Sequence, residues 1–242
     1  MSITKIKVIG TGGIGLCVLP VLSRFLNYEV NKFPQVQLHL IDGDTFESKN
    51  AARQEFDEIG PKSTITANRL KDQFGRIAFY DHPVYISDDN VVQHIRENDI
   101  ILLCVDNHKT RKIVAERVSE LNNVTFISGG NDETDGNIFC HIRREGKDVT
   151  APITQYHQEI ANPKDLHPSE MNQPGSCTRQ AAEKPQIVIV NNLIASAMLC
   201  AFYNVTDPVI YNDKILKNPH LYGEVIYDMP SMKAVPMSRF VR

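Results

Sequence analysis

The chain has 242 residues, with 26 Lys and Arg against 29 Asp and Glu, and so a formal net charge of −3. That balance lacks the basic footprint of a nucleic-acid binder. With 42% hydrophobic and 23% charged residues, disordered and collagen-like classes are excluded, and one domain over residues 1–242 is expected at this length. Residues 5–10 (KIKVIG) read as a first strand that runs into a glycine loop. Residues 14–26 are apolar and of helical length, with Pro20 placed to cost a hydrogen bond or kink the helix. Residues 36–42 (VQLHLID) alternate around Leu38 and Leu40 as a second strand. Residues 61–74 read as a helix, with Ile65, Leu70 and Phe74 on roughly one face and Gly75 as its stop. Residues 77–86 are a strand candidate and residues 91–97 a short helix. Residues 99–105 (DIILLCV) form the continuous apolar run of a strand buried on both faces. Residues 110–121 are amphipathic through Ile113, Val114, Val118 and Leu121, and residues 124–128 are a further buried strand.

The second half has a different texture. Residues 137–144 look like a strand, and residues 145–184 are polar and rich in Pro, Asn, Asp and His. A long tract without clear structure inside a compact domain is usually functional or mobile. Residues 187–203 return to a strongly apolar helix, followed by strand candidates at 209–216, 222–227 and 233–236. The alternation predicts an α/β fold. The expectation is a Rossmann-like, doubly wound, mostly parallel sheet with helices on both faces and a C-terminal antiparallel extension. Residues 1–130 would form the nucleotide-binding half, and residues 131–242 a crossover loop, a last helix and terminal strands.

Five cysteines, with Cys17, Cys104 and Cys200 in apolar runs, argue against a secreted disulfide framework. Those three and Cys140 are expected in the core or in structural positions. No two are spaced CxxC, so no structural zinc is expected. Neither an export signal nor a run of about 18 apolar residues is visible, so the expectation is a cytoplasmic protein without a membrane span.

Gly10, Gly12, Gly13 and Gly15 form GxGGxG between the first strand and the first helix. Backbone amides there can approach a phosphate because no Cβ intervenes, and the helix terminus adds partial positive charge. Asp42 ends the second strand, where a carboxylate can accept from ribose hydroxyls. These features suit NAD and ATP equally. Downstream stand Asn50, Arg53, Gln54 and Lys62. Hydride transfer has no need of an Arg and a Lys here. Nucleotidyl transfer does, because charge develops on the α-phosphate and on departing pyrophosphate. The plainer alternative makes Arg53 and Lys62 solvated charges flanking a helix. Asp106 and Asn107 follow the buried strand directly. There a hard oxygen ligand can hold Mg²⁺ with the phosphates, or either residue can cap the next helix.

The set GTGGIG, IDGD, NAARQ, GPK and CVDN resembles the ThiF/MoeB family, the adenylating core of ubiquitin-activating enzymes. The match runs in order and spacing over roughly residues 5–130. The stretch GSCTRQAAEKPQIVIVNNLIASAML is most similar to ThiF-like proteins of the PRTRC system. The resemblance implies ATP and Mg²⁺ as cofactors, with Gly10, Gly12, Gly13 and Gly15 lining the nucleotide and Asp42 holding the ribose. It puts Asn50, Arg53, Gln54 and Lys62 around the phosphates, and Asp106 on Mg²⁺ with Asn107 nearby. It implies adenylation of the C-terminal carboxylate of a small ubiquitin-like or sulfur-carrier protein supplied in trans, followed by attack of sulfur, in a homodimer. Nucleic acid and membrane are not implied as partners.

Two features depart from the family pattern: the paired CxxC zinc ligands are missing, and no arginine precedes Gly10. Cys177 lies in the polar tract before the last helix, where the family places its catalytic cysteine, and Arg179 nearby favours its thiolate. His157 and His167 with Cys177 match no standard metal spacing. A nicotinamide oxidoreductase would explain only the glycine loop and Asp42. A non-catalytic, nucleotide-binding dimer scaffold would leave Arg53, Lys62 and Asp106 without a purpose.

Overall fold

The structure is a computed structural model and describes residues 3–47, 58–171, 188–206 and 223–241. Strand β1 (Thr4–Ile9) turns Ile6 and Val8 to one face of a central sheet and Ile9 to the other. Helix α1 (Gly13–Tyr28) buries Ile14, Val18, Leu22 and Leu26 at helical spacing, and it runs unbroken through Pro20. Strand β2 (Val36–Ile41) pairs parallel with β1. A small antiparallel ribbon, β3 (Thr45–Phe46) with β4 (Gly60–Pro61), then leads into α2 (Lys62–Gln73). Helix α2 buries Ile65 and Leu70, and Phe74 closes it one residue before Gly75.

Strand β5 (Ala78–His82) is shorter than the run 77–86. Pro83 follows immediately and has no N–H for the ladder, while Ile86 is buried in the other layer. Helix α3 (Val91–His94) also stops early. Asp99 accepts from the Arg96 backbone N–H at 2.9 Å, and Asn98 takes a positive φ of 65°, so the chain turns there. Strand β6 (Ile100–Leu103), α4 (His108–Glu120) and β7 (Val124–Asn131) complete the parallel part.

The chain then doubles back. Strand β8 (Asp135–Arg144) pairs antiparallel with β7 and carries the short β9 (Lys147–Asp148). Within the polar tract, Ile153–Gln155 forms a 3-10 turn, followed by α5 (Gln158–Ala161) and α6 (Pro168–Met171). Ile153 and Ile160 anchor this stretch in the core, so it is not structureless as far as residue 171. Residues 172–184 lie outside the described residues, as do 209–216. Helix α7 (Val188–Thr206) packs on α1, β7 and β8. Its 19 residues, with a mean hydropathy of 1.6, are long and apolar enough to cross a membrane by composition, although half of that length is buried in the core. Strand β10 (Glu224–Asp228) pairs antiparallel with β8, and β11 (Lys233–Met237) antiparallel with β10.

The sheet order is β11-β10-β8-β7-β6-β1-β2-β5. The parallel strands thus proceed outward from β1 to β5, then restart on the other side at β6. Helices α1, α2 and α7 cover one face, and α3, α4 and α5 the other. This is the doubly wound arrangement with an antiparallel extension. Its strand order reverses between β1 and β6, and the carboxyl ends of two such strands are where folds of this kind place a ligand crevice.

A buried ion cluster locks the extension to the polar tract. Glu224, 1% exposed, accepts from His157 Nε2 at 2.7 Å, Asn137 Nδ2 at 2.9 Å and Arg239 Nη2 at 2.7 Å. Burial pushes the Glu224 carboxyl up, but these donors outweigh it and hold the pKa at about 2. The bond to Glu224 raises His157, against its burial. Glu224 therefore stabilises the fold fully above its ordinary value of 4.5, and loses that contribution as pH falls toward 2. His157 works in the opposite sense: its contribution is complete below its ordinary 6.5 and is lost as pH rises through its raised value. Glu224→Gln is expected to cost about 3 kcal/mol at neutral pH. The difference from wild type should shrink between pH 4.5 and 2, which urea unfolding at several pH values would measure.

Candidate active site

The glycine loop sits where β1 meets the crevice. Gly10 has φ +90°, and a Cβ there would stand 3.0 Å from the Cys104 carbonyl carbon, so only glycine fits between the ends of β1 and β6. Gly15 lies closer still: its Cβ would be 2.1 Å from the Gly10 carbonyl oxygen. Gly12 is the N-cap of α1 and offers no side chain to the first-turn amides. Those donors are left for an acceptor from outside the helix, with the helix dipole behind them.

Asp42 ties this loop to the next strand. Its Oδ2 accepts from Thr11 N–H at 2.6 Å and Thr11 Oγ1 at 2.9 Å, and its Oδ1 accepts from Asp44 N–H at 2.8 Å. Burial raises the Asp42 carboxyl above its usual range and Asp44 raises it further, while Lys62 and the backbone donors oppose them. A carboxylate has about four acceptor positions, so one remains for a hydroxyl such as that of a ribose.

The chain of contacts continues to Lys62, the first residue of α2. Its side chain is 7% exposed, and Nζ donates to Asp44 Oδ2 at 3.0 Å. Its backbone N–H donates to the Asp44 carbonyl at 2.9 Å, and its Nζ stands 5.8 Å from the Phe46 ring centroid. Tyr85 donates its hydroxyl to the other oxygen of Asp44 at 2.6 Å. Lys62 is thus a buried, held cation rather than a solvated flank charge.

On the far side of the switch point, Asp106 follows β6. Its carboxylate is exposed and makes no hydrogen bond among the described residues. Asn107 is the N-cap of α4: its Oδ1 accepts from Thr110 N–H at 2.9 Å and its Nδ2 donates to the Leu166 carbonyl at 2.7 Å. That is the capping arrangement the sequence allowed for it. Leu166 and Asp165, which accepts from His108 N–H at 2.6 Å, bring the polar tract across the start of α4. His108, Gln158, Glu159, Asn162, Lys164 and Asp165 line an adjoining cleft of about 610 Å³.

Gly10, Gly12, Gly13, Gly15, Asp42, Lys62, Asp106 and Asn107 therefore stand just past the carboxyl ends of β1, β2 and β6 or at the starts of α1, α2 and α4. Asn50, Arg53, Gln54 and Cys177 lie outside the described residues. Among the described cysteines, Cys104 and Cys140 are buried as expected, and burial pushes both thiols up to about 12, which leaves them inert. Cys17 is half-buried. Cys200 is exposed, against expectation, because position 200 falls on the outward side of α7. His157 is committed to Glu224 and Glu159, and His167 to the Ile86 carbonyl and Ser169. No cluster of three or more metal-ligating side chains occurs among the described residues.

Sequence reasoning did not assign Thr11, Asp44, Tyr85 or Arg111. The second Asp of IDGD pointed to Asp44. Arg111 stands at i and i+3, i+7 from Val114 and Val118, so a charge on an apolar stripe was its signal.

A parallel sheet whose order reverses beside a glycine loop defines the doubly wound class of nucleotide-binding fold. The chain belongs to the ThiF family, whose model matches residues 1–233. A relative, the adenylyltransferase and sulfurtransferase UBA4 of Debaryomyces hansenii, is 28% identical over 139 residues, covering 56% of this chain and 29% of its own. The crystal structure of E. coli MccB superposes with a TM-score of 0.67 at 17% identity, over 99% of this chain and 63% of that one. MccB with ATP gives 0.66 at 16% identity, over 98% and 64%. PaaA gives 0.58 at 17% identity, over 99% and 65%. The chain thus spans less than a third of the matched UBA4 and under two thirds of MccB.

Proposed function

We propose that the crevice binds ATP and transfers AMP to the C-terminal carboxylate of a small ubiquitin-like or sulfur-carrier protein supplied in trans. The observation that carries this reading is one connected set of bonds. It runs from the glycine loop through Thr11, Asp42 and Asp44 to the buried Lys62, with Asp106 at the end of the adjacent strand. A hydride-transfer site needs neither the held cation nor the second carboxylate.

The glycine loop and the α1 terminus take the phosphates, and Asp42 takes the ribose. The substrate carboxylate attacks the α-phosphorus, the bond to the β-phosphate oxygen breaks, and pyrophosphate leaves with the electron pair. Lys62, with Arg53 of the undescribed segment, offsets the charge that develops on both phosphates. The donor set also suits Mg²⁺, which is held in such sites by one or two carboxylates together with substrate phosphates. Asp106, exposed and without a hydrogen bond among the described residues, is the carboxylate that would take it. When bound, Mg²⁺ supplies charge neutralisation at the phosphates. In the second step of this reading, the Cys177 thiolate attacks the acyl-adenylate carbonyl, AMP departs and a thioester results; the acyl-disulfide alternative forms in the same way when Cys177 already carries a persulfide from a sulfur donor, whose outer sulfur attacks instead. The setting is cytoplasmic, and the active form is a homodimer, the assembly that the family resemblance implies.

The test is ATP–pyrophosphate exchange with Mg²⁺, with and without small glycine-ended proteins encoded beside this one. Partner-dependent exchange is the expected result. Tight ATP binding with no exchange under any partner would favour a nucleotide-binding scaffold, and NAD binding without ATP binding would overturn the proposal.

A further inference from the structure

Arg111 is a buried cation with no acidic hydrogen-bond or ion-pair partner among the described residues. It lies on α4, one turn past the Asn107 cap, and is 6% exposed. Its Nη1 donates to Ser128 Oγ at 2.9 Å, and its Nη2 donates to the carbonyls of Val105 at 2.5 Å and Gly129 at 2.7 Å. All three acceptors are neutral, and Nε is buried with no hydrogen-bond partner among the described residues. Burying an unpaired charge is costly, so a residue serving only to tie these groups together would be better made neutral.

The placement explains the charge. Val105 follows β6, and Ser128 and Gly129 belong to β7, so the guanidinium bridges the two neighbouring parallel strands at the point where their pairing ends. Val105 directly precedes Asp106. Among the charges acting on Arg111, Asp106 is foremost, followed on the acidic side by Glu159 and Asp165, which line the adjoining cleft. Gly130 leaves the space: a Cβ there would meet Nη2 at 2.9 Å.

We propose that Arg111 is a positioning residue for Asp106. It fixes the carbonyl that directly precedes the carboxylate, and so sets where the chain of Asp106 leaves β6. This rests on the adenylation reading of the crevice. Arg111 reaches no nucleotide itself. Its loss therefore leaves ATP binding in place and impairs the step that depends on where Asp106 stands.

The experiment compares wild type, Arg111→Gln and Arg111→Lys by thermal melting, by ATP calorimetry with and without Mg²⁺, and by exchange kinetics. Arg111→Gln should keep its metal-free ATP affinity and its KM, and lose kcat on the order of 10²-fold, the scale of a misplacement near 1 Å. Arg111→Lys keeps the charge without the planar fork and should recover part of kcat. A folded Arg111→Gln with wild-type kcat overturns the proposal, as does a kcat loss that merely follows the loss of folded protein and is not relieved by Lys. If Arg111→Gln fails to fold, wild-type kcat in a folded Arg111→Lys overturns it, and a reduced kcat at unchanged KM supports it. If wild type itself shows no exchange, the adenylation reading has failed. Arg111 is then judged by the gain in ATP affinity on adding Mg²⁺, whose loss in Arg111→Gln supports positioning and whose retention refutes it.

Discussion

Asp106→Ala is expected to abolish pyrophosphate exchange, by about 10³-fold or more, while the protein stays folded. The two halves of that expectation have separate causes. Asp106 is exposed and makes no hydrogen bond among the described residues, so little of the fold depends on it. Removing its charge takes away only an electrostatic neighbour of Arg111. The cost in stability is about 1 kcal/mol or less, or about 2–4 °C in melting temperature. Chemistry is another matter, because Asp106 directly follows β6, whereas Asp165 is held by the His108 N–H and Glu159 by His157. Asp106→Asn should fail nearly as badly, since the amide keeps the shape and loses the charge. Exchange rates and melting curves on the same preparations separate the two effects. Full exchange in Asp106→Ala would remove the residue from the mechanism.

Gly15→Ala should have the second large effect, through the backbone alone. The added methyl would sit 2.1 Å from the Gly10 carbonyl oxygen, a main-chain atom that no side-chain rotation can move away. Either α1 shifts along its axis or the glycine loop opens. Both displace the first-turn amides from the phosphate position, and ATP affinity should fall by 10²-fold or more. Overpacking of this kind costs about 1–3 kcal/mol, partly offset by the better helix propensity of alanine. Gly75→Ala is the matched control, because a Cβ there meets nothing within 4 Å. Calorimetry with ATP and urea unfolding on both variants check this. An unchanged affinity in Gly15→Ala would mean that the phosphates bind elsewhere.

The parts of the molecule visible in the sequence are those governed by local rules. The apolar run ahead of Asp106, the alternation in β2 and the stripe Ile113, Val114, Val118 and Leu121 each follow one periodicity, and each appears in the structure as an element of the expected type. The misplaced boundaries have local causes that compete with periodicity. Pro83 cuts β5 short of Ile86, which packs as a core side chain rather than a strand residue. Strand β8 starts at Asp135, ahead of the expected residue 137, because Gly136 is already paired with Asn131 and Tyr227. Two-residue strands such as β3 and β4 carry no periodicity at all.

The site divides along the same line. The glycine loop, Asp42 and Asp106 are fixed by their positions at strand ends, which the chain order alone reveals. The hold of Asp44 on Lys62, the hydroxyl of Tyr85 and the carbonyls around Arg111 are contacts between residues 6 to 41 positions apart. No spacing rule brings such groups together, and only the folded sheet does. Cys200 is the opposite case, since an apolar neighbourhood in sequence says little about which side of a helix a residue occupies.

The most direct measurement is ³¹P NMR of the phosphorus products formed from ATP in the presence of the partner whose carboxylate is activated. Attack at the α-phosphorus predicts pyrophosphate and AMP, with pyrophosphate appearing in step with the acyl-adenylate. ADP and orthophosphate as the products would place the reaction at the γ-phosphorus and contradict the account.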